Sequence, residues 1–258
     1  MKKRICFLTL TVLALCLLGT TSVFALSEEE TNEQELYADE TLEKLTTPEN
    51  ESSEENVALF ATASDFSWKI VDGTLYISGH GDMPDYYSGE APWHDKSFSK
   101  AVIESGVTSI GEDAFYECSD LESITISDGV VSIGEYAFQY CSALKSITIP
   151  DSVTSIGAGA FWKCSSVTSV VIPQSVIDNG IEAVFPDSYK NVRSITFGQG
   201  VKTIGNDAFQ NCSALKNVVI PDGVTSIGEN AFKGCNSLTT ITIPDSVTSI
   251  GNNAFSYC

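Results

Sequence analysis

Cysteine is the residue type in this chain whose spacing could support chemistry. Six cysteines recur at intervals of 23 residues in two groups of three, and each stands three residues after a phenylalanine. Paired thiols could form disulfides in an exported protein, and a set of thiols could bind a soft metal ion. The six residues are Cys118, Cys141, Cys164, Cys212, Cys235 and Cys258.

The regular spacing argues against both kinds of thiol chemistry. Side chains stacked in register point the same way, which is poor geometry for a disulfide, and groups of three cannot pair completely. No histidine lies near these cysteines in the sequence, so a metal site is not expected. We therefore expect buried free thiols that pack as small apolar residues.

The two histidines give a weaker signal for acid–base or metal chemistry. His80 is followed by Gly81-Asp82 and His94 by Asp95, but neither group has a third partner at a meaningful spacing. The sequence also contains no nucleophile elbow and no phosphate-binding glycine loop. We therefore expect a protein with no catalytic residues, no cofactor and no enzyme activity.

The element that positions the cysteines is a repeat of 23 residues. Within residues 144–164, the alternation of Ile147 and Ile149 predicts a strand with one buried face, and Pro150 ends that strand. A second short apolar stretch runs up to Gly157, where the backbone can turn sharply. The following Ala-Phe-x-x-Cys segment would place its three apolar side chains on one face of a helical turn. A unit this small cannot bury its own apolar face, so the units must stack as a solenoid.

The repeat pattern resembles that of a known family. The sequence L-x-x-I-x-I-P-x-x-V-x-x-I-G-x-x-A-F-x-x-C is similar to the 23-residue leucine-rich repeats of BspA-like bacterial surface proteins. The resemblance covers residues 106–258, about seven repeats. It implies a right-handed solenoid, secretion or cell-surface display, and adhesion or protein binding without catalytic residues or cofactors.

The predicted fold class is therefore α/β and predominantly β. We expect a right-handed leucine-rich-repeat solenoid with short parallel strands, one short helical turn per repeat and an N-terminal β-hairpin cap. The cap is assigned to residues 65–105, because Asp72-Gly73 between two alternating runs is a hairpin signal and a solenoid needs its first edge covered. A small binding domain is the alternative for this segment.

One unit, residues 173–197, departs from the repeat pattern. It is two residues longer than the others, it has no cysteine, and Pro186 follows the phenylalanine. Phe185 nevertheless falls at the aromatic position and Val192 at the leucine position. A bulge on the helical side and a partner-specific protrusion are both consistent with this sequence.

The remaining segments predict an exported protein. Residues 1–25 have the basic start, apolar run and Val23-Phe24-Ala25 cleavage site of a signal peptide, with Cys16 raising the less favoured alternative of a lipoprotein signal. Residues 26–64 carry twelve acidic residues and one lysine, which predicts a disordered linker that acts as a spacer rather than as a calcium-binding or docking segment. We therefore expect a secreted or cell-surface protein with no membrane span after signal cleavage. The last repeat is truncated at Cys258, which predicts a fragment.

Two sets of residues are candidates for contacting a partner. Central strand positions that face outward form the first set: Thr125, Thr148, Val171, Thr196, Val219 and Thr242. Aromatic residues at positions that are polar in other repeats form the second: Tyr116, Tyr136, Tyr140 and Trp162. Exposed Tyr and Trp can anchor proteins or glycans. Strand propensity alone also accounts for the first set, and packing between neighbouring turns for the second.

The partner class follows from charge and from the resemblance. A net charge of −20 opposes binding to nucleic acid. We expect the partner to be a protein or glycoconjugate on host or neighbouring cells. One alternative is a structural repeat spacer in a larger secreted protein, whose anchor or catalytic module lies beyond residue 258. Another is an enzyme or glycan-processing accessory whose catalytic residues lie outside this sequence.

Overall fold

The protein is described by a computed structural model that covers residues 66–258, so the predicted signal peptide (1–25) and acidic linker (26–64) lie outside the described residues. The described chain is mostly β. In chain order its elements are β1 (Ser67–Val71), β2 (Thr74–Ser78), β3 (Gly81–Asp82), β4 (Lys100–Ile103), β5 (Val107–Ile110), β6 (Ser123–Ile126), β7 (Ser132–Ile133), β8 (Ser146–Thr148), β9 (Ser155–Ile156), β10 (Ser169–Ile172), α1 (Gln174–Asn179), α2 (Ile181–Val184), a 3-10 helix (Tyr189–Asn191), β11 (Ser194–Phe197), β12 (Thr203–Ile204), β13 (Asn217–Val219), β14 (Ser226–Ile227), β15 (Thr240–Thr242) and β16 (Ser249–Ile250).

These strands form one long sheet and two short ones, as a repeat solenoid requires. The long sheet has nine strands in the order β1-β2-β4-β6-β8-β10-β11-β13-β15. Only β1 and β2 pair antiparallel, as a hairpin, and every later neighbour is parallel and one repeat along the chain. The short sheets have the orders β3-β5-β7-β9 and β12-β14-β16. The predicted leucine-rich-repeat solenoid with a β-hairpin at its N-terminal end is confirmed.

Two stacks of phenylalanine rings lie in the core, one from Phe115 to Phe185 and one from Phe209 to Phe255, and together we call them the phenylalanine column. The ring centroids of Phe115 and Phe138 are 5.0 Å apart, and those of Phe138 and Phe161 are 5.2 Å apart, with the rings nearly parallel in both pairs. These three side chains are fully buried. Each ring therefore covers the face of its neighbour, and the repeats share one dry interior that no single repeat could build.

The segment predicted as a helical turn has a different backbone. Asp113 and Glu117 have φ values of 53° and 56°, and the equivalent positions in the other regular repeats are also left-handed. Left-handed residues interrupt an α-helix and turn alternate N–H groups towards the next repeat. The N–H of Phe115, for example, donates to the carbonyl of Ala137 at 2.7 Å. The Ala, Phe and Cys side chains still share one buried face.

The cysteines lie at the end of these turn segments and also bond to the neighbouring repeat. Of the six cysteines in residues 66–258, all are free thiols and only Cys258 is exposed. The Sγ of Cys141 donates to the carbonyl of Phe115 at 3.2 Å, and Cys164 makes the same bond to Phe138 at 3.1 Å. The thiols of Cys235 and Cys258 donate in the same way, so four of the six thiols bond to a carbonyl of the preceding repeat while five of the six are buried as small packing groups.

The N-terminal segment covers the first ring of the phenylalanine column. The buried indole of Trp93 lies 5.8 Å from the Phe115 ring, and its Nε1 donates to the carbonyl of Ala114 at 2.8 Å. Tyr86 packs edge-on against Trp93 at 5.4 Å, and burial raises the pKa of Tyr86 to about 12. This aromatic group shields the core where the regular repeats begin.

The irregular repeat places helices where the others have a short strand. Helix α1 lies between β9 and β12, so the short sheet is divided at this repeat. The apolar residues of the two helices are buried with the rest of the core: Val176, Ile177, Ile181 and Val184. Phe185 stacks on Phe161 at 4.8 Å and Val192 is buried, which confirms both predicted positions. Tyr189, also buried, occupies the position that is cysteine elsewhere.

Candidate functional site

Three of the four predicted aromatic residues form a ladder along the turn segments. We define the aromatic ladder as Tyr116, Tyr140 and Trp162. The rings of Tyr116 and Tyr140 meet edge to face at 5.9 Å, and those of Tyr140 and Trp162 are 6.4 Å apart. Tyr140 and Trp162 are 39% and 41% exposed, and Tyr116 is partly buried. The three rings thus pack against one another, and about two fifths of the Tyr140 and Trp162 side chains remains exposed to solvent.

The backbone that positions the ladder is the left-handed turn. Tyr116 and Trp162 directly follow the buried phenylalanine of their repeats, whereas Tyr140 is one position further on, at φ 63°. The N–H of Tyr140 donates to the carbonyl of Trp162 at 2.8 Å, which fixes the register between the two repeats. The side chains on successive turns therefore lie side by side without a helix to carry them.

A charged pair sits at the Trp162 end of the ladder. The Nζ of Lys163 lies 5.6 Å from the centre of the Trp162 ring and 2.9 Å from Oδ1 of Asp187. Asp187 also accepts a hydrogen bond from the N–H of Lys163 at 2.7 Å. Partial burial raises the pKa of the Asp187 carboxyl, but the bonds and charge of Lys163 more than offset this, so its net pKa lies below the usual value.

The cap touches the other end of the ladder. Nδ1 of His94 lies 3.1 Å from the carbonyl oxygen of Tyr116. Partial desolvation raises the pKa of the Tyr116 hydroxyl, and the neighbouring Glu117 adds to the shift. The hydroxyl of Tyr116 therefore stays protonated at neutral pH and can donate a hydrogen bond.

Tyr136 lies apart from the aromatic ladder. Its ring packs over Gly159, the equivalent position in the next repeat, where an added Cβ would come within 2.6 Å of the ring. Tyr136 is partly buried and, among the described residues, stacks on no other aromatic ring. Tyr136 thus packs between two neighbouring turns, apart from the other three predicted aromatic residues.

The predicted strand residues form an outward row on the long sheet. The register pairs Val171 with both Thr148 and Thr196, and Val219 with Thr242. The row consists of Thr125, Thr148, Val171, Thr196, Val219 and Thr242, all exposed except the partly buried Val171. Val219 is the most open apolar side chain of the row, at 67% exposure.

Two further residues extend this row, and sequence reasoning missed them. Tyr76 of β2 pairs with Val102, which precedes Thr125 in the register, and Lys69 of β1 pairs with Tyr76. The Lys69 ammonium lies 5.9 Å from the Tyr76 ring centre. The alternation of Leu75, Tyr76 and Ile77 was the signal that could have revealed an outward-facing tyrosine.

The aromatic ladder and the outward row both present side chains to solvent. Within residues 66–258 no group of three or more His, Cys, Asp or Glu side chains could hold a metal ion. No helix in the same part of the chain has the length and apolar character needed to cross a membrane.

A family model matches most of the repeat region. The model described as "BspA type Leucine rich repeat region" matches residues 89–213 and 182–258, with six copies of the repeat. A search of curated proteins gave no match.

Solved structures of bacterial repeat proteins are also similar. A leucine-rich repeat protein from Eubacterium ventriosum is 27% identical over 78% of this chain and 62% of that chain, with a TM-score of 0.45. A leucine-rich repeat protein from Bacteroides ovatus is 26% identical over 62% of this chain and 47% of its own, with a TM-score of 0.47. A leucine-rich cell surface protein from Faecalibacterium prausnitzii is 25% identical over 75% of this chain and 73% of its own, with a TM-score of 0.38. The chain thus spans less than two thirds of the length of the first two.

Proposed function

This chain belongs to the BspA-type leucine-rich repeat family, and on that premise we propose that it is a non-catalytic, secreted or cell-surface protein that binds other proteins and thereby mediates adhesion. The aromatic ladder is the proposed contact surface. The proposed partner is a protein on a host or neighbouring cell, and binding through a glycan of a glycoconjugate is the alternative outcome of the test below.

The partly exposed stack of Tyr116, Tyr140 and Trp162 supports this proposal best. Interface hot spots are enriched in Tyr and Trp, because these rings bury a large area at a small cost in conformational entropy. Here the rings are already ordered by their neighbours at 5.9 and 6.4 Å. Binding would therefore lose little side-chain freedom, and Lys163 adds a cation next to the largest ring.

The outward row of the long sheet would contribute a second, weaker contact. Its threonines and valines offer a surface with little charge and no large anchoring side chain between Thr125 and Thr242. Such a surface suits broad contacts of low affinity. Tyr76 is the exception, since it adds an aromatic ring at the hairpin end of the row.

The ladder can be tested by side-chain truncation. Trp162→Ala and Tyr140→Ala should weaken binding of the whole chain to immobilised extracellular-matrix and bacterial surface proteins by roughly 30-fold or more, measured by surface plasmon resonance. Gln210→Ala is the matched control, because Gln210 occupies the position of Trp162 in a later repeat. All three variants should melt within a few degrees of the wild type.

The alternative functions predict different outcomes. Unchanged binding in both aromatic variants would remove the ladder as the contact surface. A wild-type chain that binds no protein or glycan in the panel would leave the structural spacer as the better description. Binding that survives removal of protein but not of glycan from the immobilised surface would favour the glycoconjugate.

A further inference from the structure

A cleft of about 580 Å³ opens on the turn segments of the last four repeats, beginning with the irregular one, and none of the aromatic-ladder residues lines it. This volume lies within the range of small-ligand sites, about 300–1,000 Å³. Its lining consists of two lysines, three further residues with hydrogen-bonding side chains, one tyrosine and one glycine. They are Lys190, Asn211, Ser213, Lys233, Gly234, Asn236 and Tyr257.

The cleft is positively charged in a chain whose net charge is −20. Residues 189–202, 208–221 and 231–244, which pass from the turn into the long sheet, contain no Asp or Glu. They do contain basic residues, namely Lys190, Arg193, Lys202, Lys216 and Lys233. None of these takes part in the two ion pairs of the described chain. The Nζ of Lys190 lies 5.3 Å from the centre of the Tyr189 ring.

Gly234 keeps the middle of the cleft open. Its φ is +78°, and the equivalent positions in other repeats carry a side chain at similar φ, for example Tyr140 at 63° and Lys163 at 64°. A Cβ on Gly234 would meet Oδ1 of Asn211 at 2.6 Å. The absence of a side chain at this one position therefore leaves space between Asn211 and Tyr257.

We propose that this cleft binds an acidic oligosaccharide, that is, a glycan carrying carboxylate or sulfate groups. Lys190 and Lys233 would neutralise its acidic groups. The amides of Asn211 and Asn236 and the hydroxyl of Ser213 would bond the sugar hydroxyls. The ring of Tyr257, 79% exposed, offers an apolar face on which a sugar can stack. An acidic peptide could use the two lysines but has no row of hydroxyls to match the amides of Asn211 and Asn236 and the hydroxyl of Ser213, so we expect it to bind less tightly.

Titration calorimetry on the whole chain tests the proposal with four probes: a galacturonic-acid tetramer, a sulfated galactose tetramer, a neutral galactose tetramer and tetraglutamate. One or both acidic sugars should bind at least roughly tenfold more tightly than the neutral sugar and the peptide. Raising the salt from 20 to 200 mM should weaken that binding, because it depends on exposed charges.

Three variants locate the site. Lys190→Ala combined with Lys233→Ala should weaken acidic-sugar binding roughly tenfold or more, whereas Lys100→Ala, an exposed lysine on β4, should change it less than twofold. Gly234→Tyr should abolish binding by filling the cleft while both lysines remain, with circular dichroism checking the fold.

The proposal would be overturned if neither acidic sugar bound, or if the neutral sugar or tetraglutamate bound equally well. It would also be overturned if the lysine double variant or folded Gly234→Tyr kept wild-type affinity. The result is independent of the aromatic ladder, which none of these variants touches.

Discussion

Oε1 of Gln174 accepts a hydrogen bond from the backbone N–H of Lys202 at 2.9 Å and a second, at 3.3 Å, from Thr203. In a regular repeat the carbonyl of Val131 accepts the equivalent pair of bonds, from Thr154 and Ser155. The side-chain amide of Gln174 thus replaces the backbone carbonyl that was lost when α1 took the place of a strand. Its Nε2 completes the match by donating to the carbonyl of Thr203 at 3.0 Å.

Removing this amide should destabilise the junction between the two short sheets. Gln174→Ala leaves two N–H groups and a carbonyl without protein partners, so we expect a loss of about 1–3 kcal/mol in the free energy of unfolding. Gln199→Ala, an exposed glutamine in the following turn, should change it by less than about 0.5 kcal/mol. Urea unfolding followed by circular dichroism measures both. Equal midpoints for the two variants would show that water replaces the amide at no cost.

The phenylalanine column predicts a gradient of mutational cost. Phe138 is fully buried and stacks on two neighbours, so Phe138→Ala should cost about 3–5 kcal/mol. Phe255 is only partly buried and stacks on Phe232 alone, at 5.6 Å. Phe255→Ala should therefore cost less than about 2 kcal/mol. Urea denaturation compares the two directly, and similar losses would contradict a shared interior in which each ring is supported by the repeats on both sides.

The periodic sequence predicted the columns of the core but not the backbone between them. Phe185 and Val192 were placed correctly in the irregular repeat because apolar spacing survives a two-residue insertion. The helix at Gln174–Asn179 was not predicted, since a short apolar stretch fits helix or strand and only the packing against β9 and β12 decides.

At the candidate site, too, the sequence pattern did not predict the backbone conformation. Tyr136 and Tyr140 were grouped together because both stand where other repeats are polar. Both are left-handed, at φ 53° and 63°, and such conformations are rare for residues other than glycine. The glycines at the equivalent positions 159 and 234, together with Asn and Asp at the same positions of other repeats, were the sequence signal of that backbone. Without it, the separation of Tyr136 from the ladder could not be seen.

The buried thiols should resist alkylation while the protein is folded. Burial raises the pKa of Cys118 and Cys164 to about 12, from 9.0, so the reactive thiolate is roughly 1,000-fold scarcer than at an exposed cysteine. Cys258 is exposed. With iodoacetamide at pH 8, mass spectrometry should find Cys258 modified first and the other five cysteines of residues 66–258 modified only after urea is added. Rapid labelling of Cys141 in the native protein would mean that the hydrogen bonds between the turn segments of neighbouring repeats open readily.

The pair formed by Asp187 and Lys163 should make stability depend on pH in a defined window. The net pKa of Asp187 is lowered in the folded protein, so the carboxylate contributes stability above its unfolded pKa, near 3.8, and loses it as the pH falls through the lower folded pKa. Because Lys163 is partly exposed, the contribution is modest, within about 1 kcal/mol. The difference in unfolding free energy between wild type and Asp187→Asn should therefore be constant from pH 7 to 5 and shrink below pH 4. Asp128→Asn, which alters an exposed carboxylate two residues after β6, controls for general acid effects. A difference that grows on acidification would show that desolvation of Asp187, and not its bond to Lys163, dominates.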